Sequence, residues 1–143
     1  MLGTGLRTAC EGGHMSATFT RHDPADVPAQ QGGYTHGLEV SHPSRWLVVS
    51  GQTPEPLDGA VPESAEEQCR VIWDHIRAVL ADATLSVKDI VKVTTYLSSR
   101  DVAPANSRVR AEVLGDHRPA LTVVIAEIFD PAWLLEIEVL AAA

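Results

Sequence analysis

Several polar residues stand in apolar stretches of the sequence. Glu136 and Glu138 alternate with apolar residues in the last strand-like segment, and burial would raise a carboxyl pKa and equip it for proton transfer. Asn106 interrupts the apolar stripe of a helical segment, where an unpaired amide costs about 1 to 3 kcal/mol. Ser50 and Gly51 end an apolar strand, and the glycine leaves its backbone N–H open to a ligand. These residues are candidates for a polar binding site.

Each candidate also has a purely structural interpretation. Asn106 could bond nearby backbone to fix a loop, and Ser50 and Gly51 could form a plain turn from strand to loop. Glu136 and Glu138 could each be solvated or ion-paired. The residues alone leave both interpretations open.

Other chemistries have little support in the sequence. The 6 histidines and 2 cysteines lack the spacing of metal ligands, and we interpret the histidines as surface or turn residues. No phosphate-binding glycine loop and no serine-hydrolase elbow occurs. The sequence therefore predicts no metal site and favours neither nucleotide hydrolysis nor esterase chemistry.

Composition limits the classes of partner and the cellular location that we expect. The 143 residues predict one domain with a sizeable core, and 19 acidic against 11 basic side chains give a net charge of -8. Nucleic-acid binders gain affinity from basic side chains, so we expect no nucleic-acid partner. No apolar run approaches the length of a membrane helix, so no membrane partner is expected either. With two cysteines and no secretory pattern, a cytoplasmic location is predicted.

The elements that must position the candidate residues follow from hydrophobic periodicity. A capping box at Ser64 and Glu67 begins one helix, and a second helix has Asp101 as its predicted N-cap and Gly115 as its stop. Helices are predicted at 64–83 and 102–114. Strands are predicted at 34–40, 46–50, 91–97, 120–126 and 134–140, and the first two of them are predicted to form a hairpin. The order β-β-α-β-α-β-β predicts an α+β domain at 29–143 with both helices on one sheet face. Residues 1–28 lack periodicity and are predicted to be a mobile tail.

The last strand indicates what covers the other face of the sheet. Leu134, Glu136, Glu138 and Leu140 share that face, which mixes apolar and acidic groups. Such a face is neither core nor plainly solvated. The sequence therefore predicts a subunit interface there.

An ordered set of motifs resembles the RidA/YjgF/YER057c/UK114 family over about residues 30–143. It comprises Gly33-Tyr34, Val49–Gln52, Asp89–Leu97, Asn106, His117–Ala120 and Leu135–Ala141. The resemblance implies a chorismate-mutase-like fold, assembled as a homotrimer with small-molecule clefts between neighbouring subunits. It also implies hydrolysis of reactive enamines and imines to keto acids and ammonia without a metal or organic cofactor. Some family members have been described as endoribonucleases or translation inhibitors.

The same resemblance implies roles for individual residues. The glutamate matching Glu136 holds the hydrolytic water, and the tyrosine matching Tyr34 borders the ligand, so Glu136 is the predicted catalytic residue. Ser50, Gly51 and Asn106 match other residues of the cleft. Trp133 could add an aromatic wall, or it could be a core or interface residue.

The sequence departs from the family at Leu121. Deaminating members have an arginine there that grips the substrate carboxylate as a bidentate fork. Each charge-assisted hydrogen bond is worth roughly 1.5 to 3 kcal/mol, so losing two weakens carboxylate binding by about two orders of magnitude or more. Arg118 lies three residues earlier and does not obviously replace it.

Three hypotheses follow. The first is a cofactor-free hydrolase or deaminase with an altered substrate, in which Glu136 activates water and Leu121 replaces the carboxylate clamp. The second is a non-catalytic trimeric module that binds a metabolite or a protein partner. The third is an endoribonuclease or translation inhibitor, which has family precedent but no basic stripe in this sequence.

Overall fold

The computed structural model describes residues 17–143. Within this range the chain forms β1 (Thr18–His22), β2 (Gly37–Ser41), β3 (Trp46–Gln52), α1 (Ala65–Asp82), β4 (Ile90–Leu97), α2 (Ala103–Leu114), β5 (Ala120–Ile125) and β6 (Leu135–Ala142). Short 3-10 turns precede β4 and α2. The predicted α+β order is confirmed, with β1 as an additional strand.

Four strands build the main sheet in the order β3-β6-β4-β5. Strand β6 is antiparallel to both β3 and β4, whereas β4 and β5 are parallel and α2 connects them. This connection is the crossover that parallel neighbours require. Strands β3 and β5 are consequently the two edges of this sheet.

The predicted hairpin of 34–40 with 46–50 is wrong. Strand β2 pairs with β1, placing Phe19 opposite Val40, and β3 pairs with β6 instead. Strand β1 lies in the segment predicted to be a tail, so residues 18–22 are extended and paired where no element was expected. Its periodicity is weak because only one of its side chains is even half-buried. The rest of that prediction, for residues 1–16, lies outside the described residues.

The helix ends partly match their predicted caps. The Ser64 hydroxyl accepts a hydrogen bond from the Glu67 N–H at 3.2 Å, which confirms the start of α1. Asp101 is not the N-cap of α2, because a 3-10 turn at Arg100–Val102 leads into that helix and shifts its cap to Val102. Gly115 ends α2 with a φ of 55°, as its predicted stop role requires.

The core lies between the helices and one face of the sheet. Alternate residues of β4 and β6 are buried beneath the helices, and Trp73 is the largest fully buried side chain of α1. The remaining residues of both strands, including Glu136 and Glu138, form the open face. Among residues 17–143, no helix combines the length and apolar character needed to cross a membrane.

Gln68 fastens the start of β6 to helix α1. Its side chain is 1% exposed, and its amide nitrogen donates to the Pro62 and Ala132 carbonyls at 2.7 and 2.9 Å. Its amide oxygen accepts from the Leu134 N–H at 2.8 Å. One buried side chain therefore satisfies three backbone groups immediately before the strand that carries Glu136.

Replacing Gln68 by alanine is expected to lower the free energy of unfolding by about 2 to 4 kcal/mol, because three backbone groups lose their hydrogen-bond partner and a buried side chain is truncated. Denaturant titration of both proteins measures this change. Asp74→Ala is the matched control, since Asp74 is an exposed residue of the same helix. Equal losses for the two variants would contradict the role assigned to Gln68.

Candidate functional site

Gly51 lies directly against the carboxylate of Glu136. A Cβ built on Gly51 would overlap the Oε1 atom and lie 2.8 Å from the Cδ atom of Glu136, closer than real Cβ contacts come. The register of β3 against β6 shifts by one residue between Val49 and Gln52, so Ser50 and Gly51 form a β-bulge. A bulge takes backbone groups out of the ladder and re-aims the strand. The structure thus brings three predicted site residues together.

The open face around Glu136 is acidic. Glu136 pairs with Tyr96 across β4 and β6, and the Tyr96 hydroxyl donates to Glu138 at 3.4 Å. The negative charge of Glu138 is the main cause that raises the pKa of Tyr96, and Glu136 adds to it. Tyr96 therefore stays a neutral hydrogen-bond donor beside two carboxylates.

A second group of candidate residues lines a cavity of about 380 Å³ at the β5 edge of the sheet. It contains Tyr34, Asn106 and Leu121, all three predicted from the sequence. Val123 and Ala103 extend the apolar wall formed by Leu121. The cavity therefore combines polar groups from a loop and from α2 with an apolar floor.

The loop that carries Tyr34 is fixed by its neighbours. Thr35 forms a bridge to Ala120 at the start of β5, with its N–H donating to the Pro119 carbonyl at 3.2 Å. The Thr35 hydroxyl donates to the Asp23 carboxylate at 3.0 Å, and the His36 N–H donates to it at 2.8 Å. The hydrogen bond from His36 is the main cause that lowers the pKa of Asp23. Asp23, just after β1, thus holds Tyr34 beside β5.

Asn106 is 1% exposed, and its Oδ1 atom has no hydrogen-bond partner among the described residues. The alternative in which this amide oxygen fixes a nearby backbone segment is therefore not what the structure shows. A buried acceptor without a partner costs about 1 to 3 kcal/mol. Its place on the cavity wall makes a ligand donor the natural partner.

Arg110 is the residue that sequence reasoning missed. It is 9% exposed, and it lines the same cavity as Leu121. Burial lowers the pKa of its guanidinium. Two other cations lie near Leu121, because Arg118 is three residues before it and Lys92 pairs with Ala120 across β4 and β5. Both bond to other groups. Arg118 donates to the Gly115 and His117 carbonyls, and Lys92 donates to the Thr122 hydroxyl.

Trp133 belongs to neither group. It lies in the loop before β6, and its ring is 6.5 Å from that of Phe129, with the planes inclined at 37°. Phe129 is 93% exposed, so this pair forms part of the protein surface. Trp133 is not among the residues that line the cavity with Tyr34, and its alternative role as an interface residue stays a prediction.

The two groups of candidate residues are separated within one chain. Glu136 and Gly51 lie at β6 and β3, whereas Leu121 lies on β5 at the opposite edge of the sheet, with β4 in between. Neighbouring strands are about 4.8 Å apart, so at least about 10 Å separates β6 from β5. The cavity of Tyr34 and Asn106 does not include Glu136.

Comparison with known proteins identifies the family. A family model described as Endoribonuclease L-PSP, the RidA/YjgF family, matches residues 25–143. The chain belongs to this family. The resemblance that the sequence motifs suggested is thereby confirmed.

Relatives of this RidA-family chain have low sequence identity to it but match most of its length. A 2-iminobutanoate/2-iminopropanoate deaminase of Escherichia coli is 33% identical over 68% of this chain and 73% of its own length. A RutC family protein of Pyrococcus horikoshii is 29% identical over 86% of this chain and 94% of its own. A Rid-family structure from Yersinia pestis, 22% identical, has a TM-score of 0.75 over 87% of this chain and 98% of that chain. The structural likeness confirms the fold.

Residues 17–143 contain neither a metal-ligand cluster nor an activated thiol. Within residues 17–143, no group of three or more His, Cys, Asp or Glu side chains is placed to hold a metal ion. Burial raises the pKa of the Cys69 thiol to about 12. Cys69 therefore stays protonated near neutral pH and is a poor nucleophile.

Proposed function

We propose that this RidA-family protein hydrolyses small reactive imines or enamines at a cleft between two copies of the chain, without a cofactor. The observation that carries the proposal is the contact of the Glu136 carboxylate with Gly51 at the β3 bulge. Relatives named as iminobutanoate and iminopropanoate deaminases support the reaction class.

Glu136 has the chemistry for the water step. Its carboxylate accepts a proton from a water molecule while the water oxygen forms a bond to the imine carbon. That proton passes to the nitrogen and gives a carbinolamine. The hydroxyl of the carbinolamine then gives its own proton to the nitrogen through Glu136 as the carbon–nitrogen bond breaks, so ammonia leaves with a carbonyl product. In this proposal, backbone N–H groups of the β-bulge at Ser50 and Gly51 stabilise the charge that develops on oxygen.

The division of the candidate residues supports a second copy of the chain as the missing half of the cleft. Each copy carries Glu136 and Gly51 towards one edge of the sheet and the cavity of Tyr34 and Asn106 at the other edge. Large apolar side chains are exposed near both edges: Trp46, Val48, Val123, Val124 and Ile125. Exposed apolar groups at sheet edges mark a contact surface, and a closed ring of copies brings opposite edges together. We propose the homotrimer implied by the family.

The direct test supplies imines made in situ by an amino-acid oxidase and measures trapping of the imine as its semicarbazone. Active protein removes the imine and lowers semicarbazone formation below the protein-free rate, with ammonia released. The panel also includes imines that an amine oxidase makes from simple amines, which lack a carboxylate. Rates equal to the protein-free control for every imine would contradict the proposal.

Leu121 is the observation that favours a second candidate function, a trimeric binding module without catalysis. In that case the protein would bind small ligands saturably and leave every imine untouched. An RNA substrate is disfavoured by charge, since three copies at -8 would carry about -24.

A further inference from the structure

Arg70 of α1 and the two arginines of α2 differ in their hydrogen-bond partners. Arg70 donates to Glu66 at 2.9 Å and to Glu112 at 2.7 Å, and Arg108 donates to the other oxygen of Glu66. In the described part of the chain, Arg110 makes no such hydrogen bond or ion pair. It is also the most buried of these arginines.

A buried guanidinium without a counter-ion is costly. Its desolvation is offset only when an anion takes up its donors. Among the described residues, the one side chain that raises the pKa of Arg110 is the thiol of Cys69, which is itself protonated near neutral pH. The described part of the chain therefore supplies no anion that balances the charge of Arg110.

The cavity beside Arg110 fits a small organic monoanion. Arg110 is the single cation among its lining residues, so a ligand with one negative charge balances it. Leu121 and Val123 provide an apolar surface for the carbon chain of such a ligand. The unpartnered Oδ1 atom of Asn106 provides an acceptor for a ligand N–H. An arginine matches a carboxylate in a bidentate geometry.

We propose that Arg110 binds the carboxylate of the substrate, so that the anion contact comes from helix α2 rather than from position 121 on β5. The substrate class is then a small 2-imino or 2-keto monocarboxylate whose carbon chain lies against Leu121. This inference rests on the proposed function for the reaction, whereas carboxylate binding itself can be measured without turnover.

The experiment titrates the full-length protein with 2-oxobutanoate, a stable keto acid, and follows binding by calorimetry. Arg110→Met is expected to weaken binding about 10- to 100-fold, the effect of one or more charge-assisted hydrogen bonds. Arg108→Met is the matched control, because Arg108 lies on the same helix but pairs with Glu66. It is expected to bind within about twofold of the parent protein. The methyl ester of 2-oxobutanoate has no carboxylate, so it is expected to bind the parent protein and the Arg110→Met variant with the same low affinity.

A second variant separates binding from a structural role. Adding Leu121→Arg to Arg110→Met places a guanidinium elsewhere on the lining of the same cavity and is expected to recover most of the lost affinity. The unliganded Arg110→Met protein is expected to be as heat-stable as the parent or more so, because a buried unpaired charge is removed.

Several outcomes would overturn the proposal. Unchanged affinity in Arg110→Met would do so, as would a parent protein that does not bind 2-oxobutanoate. A variant that loses stability and changes its oligomeric state, with affinity retained, would assign Arg110 to a contact between copies. Tight binding of inorganic phosphate that requires Arg118 would instead assign the anion to the adjoining cavity of about 250 Å³, which Arg110 and Arg118 share. Carboxylate binding with no imine hydrolysis would reject the proposed function but keep this inference.

Discussion

Replacing Glu136 by glutamine is expected to lower the rate of imine hydrolysis by about 10²- to 10⁴-fold, the usual contribution of a positioned acid–base group. The amide has nearly the shape of the carboxylate but cannot accept the proton of water. The variant is expected to keep its melting temperature, because Glu136 lies on the open face of the sheet and not in the core. The semicarbazone assay with an imine made from an amino acid by the oxidase measures the rate.

Glu138→Gln is the matched control for this variant. Glu138 lies two residues along β6 on the same face, and it accepts a hydrogen bond from Tyr96 rather than contacting Gly51. A change of only a few fold is expected for Glu138→Gln. Equal loss of activity in both variants would indicate a general effect of charge on the open face, and retained activity in Glu136→Gln would remove its catalytic assignment.

Replacing Gly51 by alanine is expected to reduce turnover about 100-fold, since displacement of a catalytic group by about 1 Å has effects of this size. The new Cβ would occupy the space of the Glu136 carboxylate, which must then move. The displaced atoms are the flexible end of a side chain, so the free energy of unfolding should change by less than about 1 kcal/mol. The expected signature is lost turnover in a protein that stays stable.

Gly37→Ala is the control for the glycine substitution, because a Cβ there would meet only ordinary contact with His22 at 3.4 Å. Turnover and denaturant titration are measured on both variants. Full activity in Gly51→Ala would show that the position of the Glu136 carboxylate does not matter for the reaction. A large loss of stability would show that the bulge supports the fold rather than the site.

Local signals in the sequence predicted the elements that depend on local interactions. The capping box at Ser64 gave the start of α1 correctly. Alternation along β6 predicted which of its residues face the helices. The α+β order followed from these periodicities.

Strand partners and long-range contacts could not be predicted in the same way. The spacing of 34–40 and 46–50 favoured a hairpin, yet β6 takes β3 as its partner and β1 takes β2. Hydrophobic alternation selects a face of a strand but not its neighbour. The contact of Gly51 with Glu136 depends on that pairing and on a bulge, so the sequence indicated both residues without showing that they touch.

Arg110 shows a different limit. A charged residue on an amphipathic helix usually lies on the solvated side, so helical periodicity gave no reason to place Arg110 in a cavity. Its burial results from the packing of α2 beside Cys69 of α1 and beside the loop at Tyr34. The missing arginine at position 121 was visible in the sequence, whereas a cation approaching the same cavity from a helix was not.

Co-expression of two impaired variants tests most directly whether the site is shared between copies. Glu136→Gln and Arg110→Met chains carry different tags, and assemblies that contain both are purified through both tags. In a mixed trimer, one cleft of three combines the intact Glu136 of one copy with the intact Arg110 of its neighbour, so about one third of the parent rate is expected. Mixed assemblies no more active than the better of the two single-variant proteins would contradict a cleft built from two copies.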